Sequence, residues 1–339
     1  MVVRIDRKEG FGYFEFNGDL ILGLRKANSS TLVICSKDLE IQWESPESKV
    51  FSFFVINDLL IYAIYRGKTV ARNLENLEVE VYSYPYPFLL SNDEISNGYF
   101  VGNVKGVGFL KFDLNNGALV ELYKNERINH SIKQLNGKVL SYNSEKLFSY
   151  NSKMSIAWQL DISDLCSYDV GNGLEKAELS NLYTDDEFVY LLAGLSVVKV
   201  SIQSGEIIWH TKLNTAQSRG LIQDGHLYTT SNGYINKIDC QTGQILYQEG
   251  FDYIHLDHEK MLGPIKELAW YGDSIWTVMD SNPSALIEIN PSDGSHKSVV
   301  PLKDLGITTD CQMPRFHDDK MYLLDFDSTL HIFEMGINS

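Results

Sequence analysis

The chain has 339 residues and a formal net charge of −16, with 44% hydrophobic, 12% aromatic and 22% charged residues. That apolar content excludes wholesale disorder, and the aromatic share favours strands, whose pleated, half-buried surfaces suit aromatic and β-branched side chains. An acidic surface repels phosphate backbones, which argues against nucleic-acid binding and toward a basic partner.

In chain order, the N-terminus Met1-Val2-Val3-Arg4-Ile5 reads as a strand outside any repeat. It has no apolar h-region, and no uncharged apolar run approaches the roughly 18 residues of a membrane span. The expectation is a soluble, cytoplasmic chain with no membrane contact. A unit then recurs about every 40–50 residues, the period range of blade or solenoid repeats. It comprises an apolar strand ending in a Gly, Asp or Asn turn, an aromatic and aliphatic strand, an alternating strand running into a polar turn, and a short last strand.

The first copy carries Asn17-Gly18-Asp19, Leu20–Leu22, Thr31–Ile34 and Ile41–Trp43. The second carries Asn57-Asp58, Leu60–Ile64 and Leu77–Val81; the third, Asn97-Gly98, Tyr99–Val101, Phe109–Asp113 and the turn Asn115-Asn116-Gly117. The fourth has Asn136-Gly137, Lys138–Leu140, Lys146–Tyr150 and Ile156–Trp158. The fifth and sixth match in register: Phe188–Leu192 with His226–Thr230, Val197–Ser201 with Tyr234–Asp239, and Glu206–Trp209 with Gln244–Tyr247. The seventh has Gly272-Asp273, Ser274–Val278 and Leu286–Asn290. The eighth, Asp318-Asp319, Met321–Leu324 and Leu330–Phe333, stops one strand short.

The spare N-terminal strand is therefore expected to complete the last unit, because an open final sheet would leave backbone groups unpaired. The fold expected is all-β: an eight-bladed β-propeller forming one domain over residues 1–339, with seven blades as the alternative if one unit is misread.

The turn between the third and fourth strands carries a resemblance. Ile238-Asp239-Cys240-Gln241-Thr242-Gly243-Gln244-Ile245-Leu246-Tyr247 and Val200-Ser201-Ile202-Gln203-Ser204-Gly205-Glu206-Ile207-Ile208-Trp209 are similar to the quinoprotein-type (PQQ-like) repeat, apolar-Asp-x-x-Thr-Gly-x-x-x-Trp. The resemblance implies a propeller in which the Gly takes a positive φ and the Trp or Tyr packs between blades. Quinone-dependent dehydrogenases of that family hold calcium and often carry a vicinal Cys-Cys. Here Cys35, Cys166, Cys240 and Cys311 occur singly, so the resemblance points to the non-catalytic branch, without cofactor.

Function is expected in the longest interruptions of the repeat, since loops carry variable chemistry on a rigid scaffold. One, from about Asp161 to Leu182, holds Asp161, Asp164, Tyr168, Asp169, Glu175 and Glu178, an acidic surface for a basic protein. The other, from about Gly250 to Glu267, holds Tyr253, His255, Asp257 and His258. On a strand His255 and His258 would face opposite sides, which argues against a metal site. Asp325-Phe326-Asp327 opens like a calcium loop but lacks the following Gly and distal Glu, so a turn is expected. Catalytic elbows and phosphate loops are missing from the sequence. The chain is thus expected to be a non-enzymatic binding platform for a basic protein, monomeric on its own, and in its most specific form an immunity protein neutralising a toxin. The alternative is an enzyme or small-ligand binder with its site at the mouth of the central channel.

Overall fold

The computed structural model describes residues 2–26, 30–87, 95–96, 99–104, 108–114, 116–123, 131–135, 138–151, 155–169, 173–231, 233–251, 255–256, 259–260, 265–279 and 284–335. Among these, strands make eight four-stranded antiparallel sheets and two two-stranded ones. The second strands fall where alternating apolar residues place them: Leu20–Lys26, Leu59–Ile64, Tyr99–Val104, Lys138–Tyr142, Phe188–Ala193, His226–Ser231, Ser274–Met279 and Lys320–Leu324. Among the described residues two short helical segments interrupt the β pattern, Ile162–Leu165 and the 3-10 turn Leu302–Leu305.

Two compact units account for the eight sheets. One is Gly10–Leu160 and contains the first four; the other joins Met1–Glu9 to Asp161–Ser339 and contains the last four. The nine N-terminal residues thus leave their chain neighbours. Val2–Glu9 pairs antiparallel with Thr329–Met335 as the outer strand of the eighth sheet, from Val2 opposite Met335 to Glu9 opposite Thr329. The eighth sheet therefore gains the fourth strand its own segment lacks, as the edge-closure argument requires.

Within each unit, consecutive sheets bury their faces against each other. Tyr190, Leu192 and Val197 of the fifth sheet form one apolar cluster with Leu227 and Ile238 of the sixth. Tyr228 and Ile235 of the sixth continue into Ile275 and Ile287 of the seventh, and Val278 and Leu286 of the seventh into Met321 and Phe333 of the eighth. The other unit repeats the scheme, with Leu22 and Ile34 against Leu60 and Tyr62, and Phe54 and Ile61 against Phe112. Each sheet is too thin to hide both faces alone, so neighbour burial supplies its core.

The resemblance-bearing turns lock these neighbours. Gly117, Gly205, Gly243 and Gly294 all have positive φ, between 69° and 81°. A Cβ on Gly243 would lie 2.7 Å from the ring of Trp209, the fourth-strand aromatic of the preceding sheet. Gly294 meets Tyr247 at 2.7 Å, and Gly117 meets Tyr82 at 2.4 Å, in the same relation. Glycine is thus required twice, by its dihedral and by the ring laid over it. Trp209 Nε1 and Lys199 Nζ both donate to Cys240 O, at 3.1 and 2.7 Å, and Lys237 Nζ donates to Pro291 O at 3.1 Å.

The second sheet departs from the sequence reading. Its segment Leu77–Val81 lies in the fourth strand, Asn76–Tyr84, and the third is Thr69–Asn73, which ends in the tight turn Leu74-Glu75 without a glycine to mark it. The lock there is Arg72, whose Nε donates to Tyr62 Oη at 2.8 Å and whose Nη2 pairs with Glu47 at 3.1 Å. All four cysteines are buried free thiols.

Candidate functional site

In a four-stranded meander the connections alternate between two ends. We term the head of a sheet the end where its first strand begins. The segment joining one sheet to the next and the turn between second and third strands lie at the head; the other two turns lie at the tail. In the unit containing Asp161–Ser339 the tail turns are short: residues 185–187, 202–206, 224–225, 240–244, 272–273, 290–295 and 318–319. The head carries the long connections, 162–178, 251–268 and 302–314. Long loops on a rigid scaffold are where binding chemistry is added.

The first long connection is built around one capped turn of helix. Asp161 is its N-cap, accepting from Asp164 N at 3.1 Å, so this carboxylate is used in folding the loop. Tyr168–Asp169 then pairs with Leu174–Glu175 as a small hairpin. Tyr168 is half-buried and rests on Gly194 (φ +53°), where a Cβ would lie 3.0 Å from the ring. Asp164, Asp169, Glu175 and Glu178 are exposed, and Asp164 pairs with Lys176 at 3.1 Å across open solvent. Leu174, 77% exposed, stands among them. Five carboxylates against one lysine make the segment locally acidic. Burial pushes the Cys166 thiol at its base up to about 11, so it stays protonated at neutral pH.

In the second long connection, Tyr253, Asp257 and His258 lie outside the described residues. His255 is placed only as backbone, in the short pair His255–Leu256 with Glu259–Lys260.

A cleft of about 540 Å³ opens at the head of the sixth, seventh and eighth sheets. It is lined by Ser218 and Arg219 where the sixth sheet begins, by Ile265, Lys266 and Glu267 ahead of the seventh, by Gln312, Met313 and Arg315 where the eighth begins, and by Phe326. Backbone bonds hold these walls: Lys266 N to Val278 O at 3.0 Å, Gln312 N to Leu324 O at 2.9 Å, and Phe326 N to Asp310 O at 2.9 Å. Arg219 Nε meets Glu267 at 2.8 Å. Lys266 Nζ bonds Asp310 and Cys311 O and sits 4.5 Å from the centre of the Phe326 ring.

The Asp325-Phe326-Asp327 segment forms the expected turn. Asp325 accepts from Thr329 N at 2.7 Å and pairs with buried His331 at 2.8 Å, while Ser328 takes φ +67°. Asp325 therefore serves the turn, and Phe326 is left projecting, 63% exposed. Sequence reading missed this cleft. Its residues are scattered from Ser218 to Phe326, and only the stacking of three sheets collects them. Among the described residues the lining contains no histidine, although eight occur in the sequence.

Among the described residues no helix is long and apolar enough to cross a membrane. No protein-family model and no curated protein matches the chain. Solved structures do. BamB from Moraxella catarrhalis, a PQQ-like repeat propeller, aligns at 13% identity and TM-score 0.65 over 98% of this chain and 100% of its own. The computationally designed Ika8 protein aligns at 11% identity and TM-score 0.69, over 98% of each chain. Sqt1 of Saccharomyces cerevisiae, a WD40 propeller, aligns at 11% and 0.68, also over 98% of each. The chain has the β-propeller fold.

Proposed function

We propose that the protein is a non-enzymatic binding platform whose partner is a basic protein, held at the head of the sheets by the acidic connection 161–178. The observation that carries this reading is the asymmetry between the two ends. Tight turns close the tail, while the head carries a folded hairpin with exposed Asp169, Glu175 and Glu178 around an exposed Leu174. An apolar centre with a charged rim is the anatomy of a protein interface. In a chain of net charge −16, those carboxylates would also accelerate encounter with a cationic surface. In its most specific form the platform is an immunity protein that caps a basic toxin.

The test is an affinity capture at low salt, followed by titration of the identified, purified partner. The expected complex is 1:1 with a basic protein. Its affinity should fall steeply with added salt and by about tenfold or more in the triple variant D169N/E175Q/E178Q. Capture of no basic partner, or undiminished binding by the triple variant, overturns the reading. The cleft beside Phe326 favours a second activity, small-ligand binding.

A further inference from the structure

We infer that the head of the second sheet is a docking surface for an acidic peptide segment of a partner protein, one in which carboxylates flank an apolar or aromatic side chain. The surface lies in the unit Gly10–Leu160, goes beyond the proposed use of the acidic connection and does not depend on it.

Three observations converge on Lys49, Phe51, Tyr65 and Arg66. First, two aromatic rings are turned outward side by side. Val50 pairs with Ile64 and Ser52 with Ala63, so Phe51 is the extra residue of a β-bulge. A bulge re-aims the side chain it carries. The matching bulges of the first and fifth sheets fall at Gly12 and Ser180, and here an aromatic takes that place. Phe51 is 36% and Tyr65 55% exposed, with ring centres 6.4 Å apart and planes at 90°. Tyr65 N donates to Lys49 O at 2.9 Å, which ties the two segments together.

Second, the patch carries positive charge without a counter-ion. The Arg66 guanidinium sits 5.2 Å from the centre of the Tyr65 ring. Among the described residues neither Arg66 nor Lys49 has an ion-pair partner, while Glu44, Glu47 and Glu80 serve Arg25, Arg72 and Lys68. Stacking on a ring holds a guanidinium in place and leaves its N–H fork to an incoming carboxylate. Third, both cations sit on unfavourable backbone. Lys49 has φ 64° and Arg66 φ 55°, and both side chains are exposed. Glycine would fill either position without strain, so the long cationic side chains are kept there against the backbone preference.

Two cations beside two exposed rings match two carboxylates about an apolar side chain. A nucleic acid or an anionic membrane spreads its charge over a wide area and would also meet the rest of a chain of net charge −16. A short acidic segment meets the patch alone.

The chain is to be titrated by calorimetry at low salt with the acetylated, amidated peptide Gly-Glu-Phe-Glu-Gly. Controls replace both Glu with Gln or with Lys, or Phe with Gly; oligothymidylate and equimolar phosphatidylserine–phosphatidylcholine vesicles are measured alongside. Saturable binding of the acidic peptide is expected, with each control peptide at least about fivefold weaker. Arg66→Gly and Lys49→Gly relieve the backbone, so each should unfold at the same or a higher temperature yet bind the peptide about fivefold more weakly. Tyr65→Ser should weaken binding with the far-UV spectrum unchanged. No saturable binding, equal binding of the Gln or Lys peptide, undiminished binding by Arg66→Gly, or tighter binding of the oligonucleotide or the vesicles overturns the assignment. The peptide comparisons use the wild-type chain and hold even where a variant fails to fold.

Discussion

The fifth to seventh sheets and the second sheet solve one problem in two ways. Each must anchor its outer strands to a neighbouring segment. In the fifth and sixth sheets a third-strand lysine, Lys199 or Lys237, packs on the cross-strand tyrosine, Tyr190 or Tyr228, and reaches a carbonyl of the next turn. A fourth-strand aromatic, Trp209 or Tyr247, then lies on that turn's glycine. The second sheet shares the glycine contact, Tyr82 on Gly117, but in place of the lysine it uses a single arginine. Arg72 spends Nε on Tyr62, Nη1 on Leu77 O and Glu78 O, and Nη2 on Glu47 of the preceding connection. The first lock is distributed over small terms and tolerates the loss of one. The second concentrates a buried charge on one side chain, and losing its counter-ion leaves that charge uncompensated.

The largest effect is expected from removing the strand that only the later unit uses. Deleting residues 1–9 takes away the whole pairing with Thr329–Met335 and leaves the eighth sheet open. At about 1 kcal/mol net per backbone hydrogen bond, the loss is on the order of 5 kcal/mol. Hydrogen exchange read by mass spectrometry should show residues 315–335 deprotected while 50–73 keep their protection. Equal loss in both regions would show that stability is pooled, and would erase the contrast between them.

Next come the glycines. Gly243→Ala forces an L-residue to φ +74° and drives Cβ into Trp209, which should cost about 2–4 kcal/mol in denaturant unfolding. Gly225 has nearly the same dihedral, +73°, with nothing within 4 Å of its Cβ position, so Gly225→Ala should cost only about 1 kcal/mol. Equal costs would mean that the ring over the glycine contributes nothing. Glu47→Ala, in the other lock, should cost about 2 kcal/mol. That is below the figure for a fully buried pair, because the Glu47 side chain is 22% exposed.

These positions also show what the sequence could reveal. The parts of the glycine locks were legible because turn, glycine and a fourth-strand aromatic recur within one ten-residue stretch, from Ile238 to Tyr247, although each glycine receives the aromatic of the preceding sheet. The role of the N-terminal strand was legible because the eighth unit stops one strand short. The Arg72 lock was not, since its partners Glu47 and Tyr62 come from a connection and a neighbouring strand that no spacing rule relates. The third strand of the second sheet was hidden for a similar reason: its turn lacks the glycine found at that place in the third, fifth, sixth and seventh units. The acidic connection was visible as composition. That Asp161 caps a helical turn and Tyr168 seats on Gly194 emerges only once the segment is folded. The cleft was invisible, because its lining spans more than a hundred residues and three sheets.

The smallest effect separates the two regions by pH. Burial pushes the phenol of Tyr82, in the earlier unit, and that of Tyr228, in the later one, from 10.0 up to about 12. A folded-state value above the unfolded one means that the native chain holds the proton more tightly. The associated stability is therefore fully present below pH ~10 and is lost as pH rises toward about 12. Buried phenolate absorbance should consequently appear together with loss of the far-UV signal, and not ahead of it. Tyr82 Oη also donates weakly to Leu114 O, at 3.4 Å, whereas Tyr228 is held by ring packing and the nearby Lys237 ammonium. Tyr228→Phe should accordingly leave neutral-pH stability nearly unchanged and make the alkaline loss shallower, while Tyr82→Phe should do the same at a small cost at neutral pH. If either variant unfolds along the wild-type alkaline curve, burial of that phenol is not what sets the upper pH limit of its unit.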